Sequence, residues 1–257
     1  MKNLSKILII FIMIVVVLIG TLCYGYFRKS TYKPENPIVT IEIADYGIIK
    51  IELYPDKAQN TVENFVALIN SGYYNGLTFY SIDDLFIQAG DGTGNGTGSA
   101  KLSSVNPKIE KDSSKDTTYA IKAEAYYNGY TNNNLPLEKG YIAMATSYYS
   151  MDSASSEFFI VTDDYTEYNG YYAVFGKVIE GMDVAEKISK IERKTEKDEE
   201  KGETKKTSEP VNPPVITKIT VEENGGKYGV PETIEAFDYY KWLTEYYGID
   251  MNSMVTQ

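Results

Sequence analysis

Between Ile38 and Leu53 the chain alternates apolar and polar residues with a period of two, and this pattern constrains the fold more than any other. Val39, Ile41 and Ile43 fall on one face against Thr40 and Glu42, and Ile49, Ile51 and Leu53 oppose Lys50 and Glu52. Side chains of a strand point alternately to opposite faces, so each run reads as a half-buried strand, and Asp45-Tyr46-Gly47 joins the two as a hairpin. The period then changes. Val62, Phe65, Val66 and Ile69 recur at helical spacing, with Gly72 as a stop. A hairpin followed at once by an amphipathic helix predicts a sheet with a helix packed on it.

Further short strands are predicted at 78–82, 86–90, 140–146, 157–161 and 173–178, a second helix at 182–189, and a last strand over 215–221. Many strands with two helices predict a mainly β domain, a closed barrel plugged by helices. Two stretches read as insertions. Residues 99–117 are rich in Ser, Lys and Asp without periodicity, and the mixed-charge run 192–209 is expected to be solvated and mobile. The expected divisions are an N-terminal segment over 1–30, a domain over 31–224 and a C-terminal tail over 225–257. In the tail, Phe237, Tyr240, Trp242, Leu243 and Tyr246 suggest a surface helix.

The N-terminal segment carries Lys2 and Lys6 ahead of an apolar run from Ile7 to Ile19 that continues through Cys23. Such a run can span a hydrocarbon layer of about 30 Å. A cleaved leader is the rival reading, but the first alanine is Ala44, so no Ala-x-Ala site follows the run. Leu22 stands where lipidation of Cys23 would need a small residue. The segment therefore reads as an uncleaved single-pass anchor in the cell membrane. Charge followed by an apolar run places the remainder on the extracytoplasmic side, although Arg28, Lys29 and Lys33 on the other flank weaken the charge asymmetry.

Composition removes several kinds of chemistry. The net charge of −11 repels phosphate backbones, so no nucleic-acid partner is expected. With no histidine and one cysteine, the chain has no Ser-His or Cys-His nucleophile pair, no internal disulfide and no His- or multi-Cys metal site. The glycines from Gly90 to Gly98 lack both Gly-x-Gly-x-x-Gly spacing and a Gly-Lys-Ser/Thr ending, which argues for a tight loop beside a groove over a phosphate cradle.

The ungapped stretch Asn60-Thr61-Val62-Glu63-Asn64-Phe65-Val66-Ala67-Leu68, followed by Gly72-Tyr73-Tyr74-Asn75-Gly76-Leu77-Thr78-Phe79, resembles the first helix and following strand of cyclophilins. Phe86-Ile87-Gln88-Ala89-Gly90-Asp91-Gly92-Thr93-Gly94 is similar to that family's Gln-Gly-Gly-Asp strand and glycine-rich loop. Gly140 to Ala145, Ser156 to Ile160 and Ala173 to Asp183 resemble three further blocks in the right order, so the likeness runs from about Ile38 to Val221. It suggests a divergent, membrane-anchored, bacterial-like member of the peptidyl-prolyl cis-trans isomerases. The implied fold is a closed eight-stranded antiparallel barrel with two helices, between the N-terminal transmembrane helix and the helical tail. The implied partners are proline-containing peptides or unfolded exported proteins, with no cofactor.

Rotation about an X-Pro bond requires loss of amide resonance, so a catalyst must favour the twisted bond over the planar one. The resemblance implies that an apolar pocket holds the proline ring while an arginine hydrogen-bonds the prolyl nitrogen. Here the family's Phe-His-Arg stretch reads Phe79-Tyr80-Ser81, which puts Ser81 at the arginine position. The chain's two arginines, Arg28 and Arg193, are not placed to substitute. Loss of a charged donor could cost about 3 kcal/mol, or about a hundredfold in rate. By the same resemblance Gln88 would hold the peptide backbone, and Phe79, Tyr80, Leu85, Phe86, Ala145, Thr146, Glu157, Phe159, Tyr168 and Tyr172 would line the groove. Glu157 replaces a glutamine, Thr146 an asparagine, and Glu167 a tryptophan associated with cyclosporin binding, which implies weak cyclosporin sensitivity. The expected function is a slow isomerase assisting the folding of exported proteins. The alternative is a non-catalytic prolyl-peptide-binding or chaperone module using the same groove.

Overall fold

The computed structural model describes residues 2–31, 35–197 and 204–248. The chain divides near Glu35 into two compact units. The first is one helix, α1 (Lys2–Thr31), thirty residues long. Its described apolar side chains include Ile12, Val16, Val17, Leu18 and Leu22, all exposed. The expected transmembrane helix is not recovered: among the described residues no helix is long and apolar enough to cross a membrane.

The second unit opens with the predicted hairpin, β1 (Ile38–Ile43) and β2 (Gly47–Leu53), in the register Ile41↔Ile49 and Val39↔Ile51. Those four side chains are fully buried. Asp45 and Gly47 both have positive φ, the conformation a tight hairpin demands. Then comes α2 (Gln59–Asn70), which buries Val62, Phe65, Val66 and Ile69 as its spacing predicts. Its own N-cap side chain, Ala58, makes no cap bond. Instead the Glu124 carboxylate accepts from the backbone N–H of Asn60 at 3.2 Å and of Thr61 at 2.7 Å. A carboxylate there satisfies otherwise orphaned donors and complements the positive helix end.

The chain continues through β3 (Ser81–Ile82), β4 (Phe86–Ala89), β5 (Tyr119–Ala120), β6 (Tyr141–Met144), β7 (Phe158–Val161), β8 (Val174–Glu180) and α3 (Met182–Ser189). It ends with β9 (Arg193–Lys197), β10 (Thr204–Pro210), β11 (Ile216–Glu222), β12 (Ile234–Glu235) and α4 (Tyr239–Tyr247). Eight strands form one antiparallel sheet in the order β11-β1-β2-β8-β6-β7-β4-β3. The expected closed barrel is corrected to a curled sheet whose ladder does not close. Its edge strand β3 is two residues long, and the seam to β11 is crossed by a single bridge, Thr78↔Val215, with neighbouring hydrogen bonds such as Phe79 N–H to the Pro214 carbonyl at 2.9 Å.

The concave interior is aromatic. Phe65 packs at 5.1–5.2 Å between ring centroids against Tyr74, Phe158 and Phe175. Phe158 also meets Tyr74 at 5.5 Å and Phe79 at 6.5 Å. These rings make the sheet a fixed platform, since buried aromatics combine a large apolar area with preferred edge contacts.

The mixed-charge run expected to be mobile is instead largely a hairpin: β9 pairs with β10 in the register Lys197↔Thr204 to Thr195↔Lys206. Residues 198–203 of that run lie outside the described residues. Its side chains are mostly solvated, as expected. The 99–117 segment is partly built into the core, with Ala100 and Val105 buried and Asp116 accepting from the Ser103 and Asp112 backbone N–H groups at 2.8 Å each. In the tail a helix is present, but β12 precedes it and pairs with β5. Residues 249–257 lie outside the described residues.

Candidate active site

A cleft of about 480 Å³ opens on the outer side of β4, β6 and β7. Strand alternation puts the interior face of these strands in the core through Ile87, Ile142, Phe158 and Ile160, leaving Gln88, Ala143 and Phe159 for the other face. The aromatic part of the cleft comes from Phe86, Phe159, Tyr165 and Tyr172. Phe86 lies 5.4 Å from Phe159 and 5.9 Å from Tyr165, and Phe159 lies 5.2 Å from Tyr172. With Ala145 beside them, they form an apolar surface suited to a ring-sized substituent.

Beside that surface stands a polar triplet. The Tyr80 hydroxyl donates to the Glu157 carboxylate in a short hydrogen bond. Gln88 Nε2 donates to the Tyr80 oxygen at 2.5 Å and to Glu157 Oε2 at 2.8 Å. Burial pushes the Glu157 carboxyl above the usual carboxylate range; the Tyr80 and Gln88 hydrogen bonds oppose this, and the Asp91 charge adds to it. Burial, and then the adjoining Glu157 charge, raise the Tyr80 phenol well above its ordinary value, so it remains a neutral donor.

The glycine loop is organised by Asp91, a role the sequence reading missed. Its fully buried carboxylate accepts from the backbone N–H groups of Thr93 at 2.9 Å, Asn95 at 2.6 Å and Gly98 at 2.7 Å, and from Gly96. An aspartate followed by a Gly/Thr/Asn-rich stretch was the available signal. Burial opposes its ionisation, but the Thr93, Gly96 and Asn95 N–H groups hold its carboxyl below the usual range. At Gly98 a Cβ would collide with that carboxylate, and at Gly90, with φ +98°, it would collide with the Ser156 carbonyl. The loop thereby brings Gly96 and Ser99 to the cleft.

Of the side chains expected here, Tyr80, Phe86, Gln88, Ala145, Thr146, Glu157, Phe159 and Tyr172 line the cleft. Four do not. Phe79 is fully buried against Phe158 in the core. Ser81 is partly exposed and pairs with Gln88 in the β3–β4 ladder, so it shares that residue's face, but its short side chain is not part of the cleft lining. Leu85 accepts the Thr162 N–H at its carbonyl at 2.8 Å, and its side chain is not part of the cleft lining. Tyr168 packs its ring against Tyr165 in a tilted arrangement, 4.5 Å between centroids, and faces an adjoining depression with Glu167. No arginine lines the cleft among the described residues: Arg193 is occupied with the Ile82 carbonyl at 3.2 Å and Asp84 at 2.7 Å. Sequence reasoning also missed Tyr165, Tyr119 and the tail residues Ala236 and Phe237, all of which line the cleft.

A curled antiparallel sheet with covering helices, an aromatic outer cleft and an adjacent glutamine define a peptide-binding isomerase scaffold. Residues 38–221 match the cyclophilin type peptidyl-prolyl cis-trans isomerase family, and the chain belongs to it. It is 31% identical over 181 residues to mouse peptidyl-prolyl cis-trans isomerase-like 3, covering 70% of this chain and 93% of that protein. Against Bacillus subtilis peptidyl-prolyl cis-trans isomerase B it is 35% identical over 147 residues, 57% of this chain and 87% of the relative. The fold is similar to a cyclophilin type isomerase from Cryptosporidium parvum, with a TM-score of 0.55 and 25% identity over 74% of this chain and 99% of that one. That protein has also been solved in the presence of the dipeptide Ala-Pro. The chain is accordingly a peptidyl-prolyl cis-trans isomerase by class.

Proposed function

We propose that this chain isomerises X-Pro bonds of exported proteins at the outer face of a membrane, more slowly than relatives that carry an arginine in the cleft. The observation that carries this reading is the apposition of an aromatic surface, Phe86 and Phe159 at 5.4 Å, with the Tyr80–Gln88–Glu157 triplet. The proline ring would sit on the aromatic surface. The polar triplet would face the amide that must twist.

In the resting arrangement the Tyr80 proton is directed to Glu157 and both observed Gln88 bonds stay within the triplet. Turning either donor towards the substrate breaks an internal bond, which supports a modest rate. When Glu157 holds a proton it can donate to the Tyr80 oxygen, and the Tyr80 O–H is then free to meet the lone pair that localises on the prolyl nitrogen. A neutral phenol is a weaker donor than a guanidinium, and a lost charged donor typically costs about a hundredfold or more in rate.

Attachment to a membrane is supported by the sequence of α1, apolar without a charge from Ile7 to Cys23 inside a thirty-residue helix. An extracytoplasmic position of the domain is supported by the order of Lys2 and Lys6 ahead of the apolar run, against which Arg28, Lys29 and Lys33 weigh on the other flank. Fractionation with protease protection tests this part: the domain should stay with membranes and be digested in intact cells stripped of their wall. A protected or freely soluble domain would contradict it.

The absence of a charged donor favours one second reading, a non-catalytic module that holds prolyl segments in the same cleft. Isomerisation of a proline peptide by the full chain, followed by NMR exchange alongside binding, separates the two.

A further inference from the structure

The segment after the last sheet strand returns across the molecule, and two of its residues enter the cleft. Ala236 and Phe237 lie beyond the family-matched residues 38–221, yet both line the cleft with Gly96, Ser99 and Ser153. The segment is anchored on both sides of Phe237. Upstream, Pro231 is buried, and Asn60 on α2 makes a reciprocal pair with Glu232: its Nδ2 donates to the Glu232 carbonyl at 2.9 Å, and its Oδ1 accepts the Glu232 N–H at 2.7 Å. Ile234 and Glu235 then pair with Ala120 and Tyr119. Downstream, Asp238 caps α4 by accepting from the backbone N–H of Tyr240 and Lys241 at 2.9 and 3.0 Å. The helix is held by Tyr239 and Trp242, whose rings lie 4.7 and 4.9 Å from Tyr149. With anchors at both ends, Phe237 is held as a wall.

We propose that Phe237 is a specificity-determining residue, the apolar wall of a subsite that takes the side chain of a residue flanking the X-Pro pair in the substrate. Gly96, Ser99 and Ser153 are small, so this part of the cleft leaves room that a flanking side chain can fill. Filling it with an apolar side chain removes water from the Phe237 ring, whereas a small polar one gains little. The subsite prefers leucine to serine at that flanking position. Asn60 and Tyr149 do not line the cleft and act as positioning residues for the strap. The inference rests on the reading of this cleft as the prolyl-peptide site.

Its test is a peptide set built on Ala-Pro with leucine or serine at each flanking position, isomerised by the full chain and followed by NMR exchange. At one flanking position the ratio of kcat/KM for leucine over serine should exceed about tenfold, and Phe237→Ala should lower it by at least about fivefold, the range that a few methylenes command in an apolar pocket. Phe237→Leu should restore most of the ratio, and Asn60→Ala and Tyr149→Ala should lower it part of the way. A ratio near one in the unaltered chain at both positions, or one untouched by Phe237→Ala, overturns the proposal. If no peptide is isomerised, the isomerase reading fails, and the same ratios read in dissociation constants decide the subsite.

Discussion

The Tyr80 hydroxyl and the Glu157 carboxylate are joined by a short hydrogen bond on the floor of the cleft, and Gln88 Nε2 bridges them at 2.5 and 2.8 Å. Because Glu157 is the acceptor, its protonation state sets where the Tyr80 proton points. Burial raises the Glu157 carboxyl, so this proton binds at higher pH than on an ordinary glutamate. Isomerase kcat/KM should therefore rise as pH falls through that raised value. Tyr80→Phe should abolish the rise while leaving activity above the uncatalysed rate. A pH profile measured by NMR exchange checks this, and a rise that persists in Tyr80→Phe would assign it to another group.

The carboxyls Glu157 and Asp91 should give opposite signs in stability. For Glu157 the folded value is raised, so its contribution is fully present below the unfolded value and lost as pH rises through the folded one. Glu157→Gln should raise Tm near neutral pH and lose that advantage in acid. For Asp91 the folded value is lowered, so its contribution is present above the unfolded value and lost as pH falls through the folded one. Asp91→Ala should cost about 2 kcal/mol at neutral pH by leaving the buried Gly98 N–H unpaired and removing the loop's other bonds to the carboxylate, and less in strong acid. Thermal melts across pH on both variants read the two signs.

A guanidinium should help when it enters the cleft. Ser81 pairs with Gln88 across the β3–β4 ladder and so shares its face, so Ser81→Arg should raise kcat/KM by about tenfold or more, while Tyr80→Arg, which breaks the polar triplet, should do markedly less. Activation by Tyr80→Arg alone would show that the side chain at 81 does not reach the amide.

Phe158 is the contact shared by Phe65, Tyr74 and Phe79 beneath the sheet. Phe158→Ala should cost about 3–5 kcal/mol in denaturant unfolding, through lost burial and the cavity it leaves.

Glu167, at the position of the family tryptophan associated with cyclosporin, faces the depression beside Tyr168 and not the aromatic cleft. Cyclosporin should bind weakly, and a nanomolar dissociation constant by calorimetry would contradict this.

The hairpin 38–53 and the helices α2 and α3 were legible because their apolar periods run for several residues and match the faces they bury. The short strand β3 was not legible in the same way. Phe79 and Ile82, three positions apart, are both fully buried, so alternation breaks between them, and Tyr80 reaches the cleft although its neighbour Ser81 is the residue that shares a face with Gln88. The β9–β10 hairpin is made of charged and small polar side chains apart from Pro210 and has no apolar face to reveal it. The tail's share of the cleft depends on a two-residue strand, one asparagine pair and the ring contacts to Tyr149, tertiary features too short to leave a periodic trace.

The measurement that bears most directly on the central claim is the exchange rate between cis and trans forms of an Ala-Pro peptide with the full chain present. The account predicts acceleration over the uncatalysed rate, strongly reduced by Phe159→Ala, which removes the aromatic surface under the proline ring. Retained peptide binding with no acceleration at any pH would contradict it and leave the cleft as a binding module.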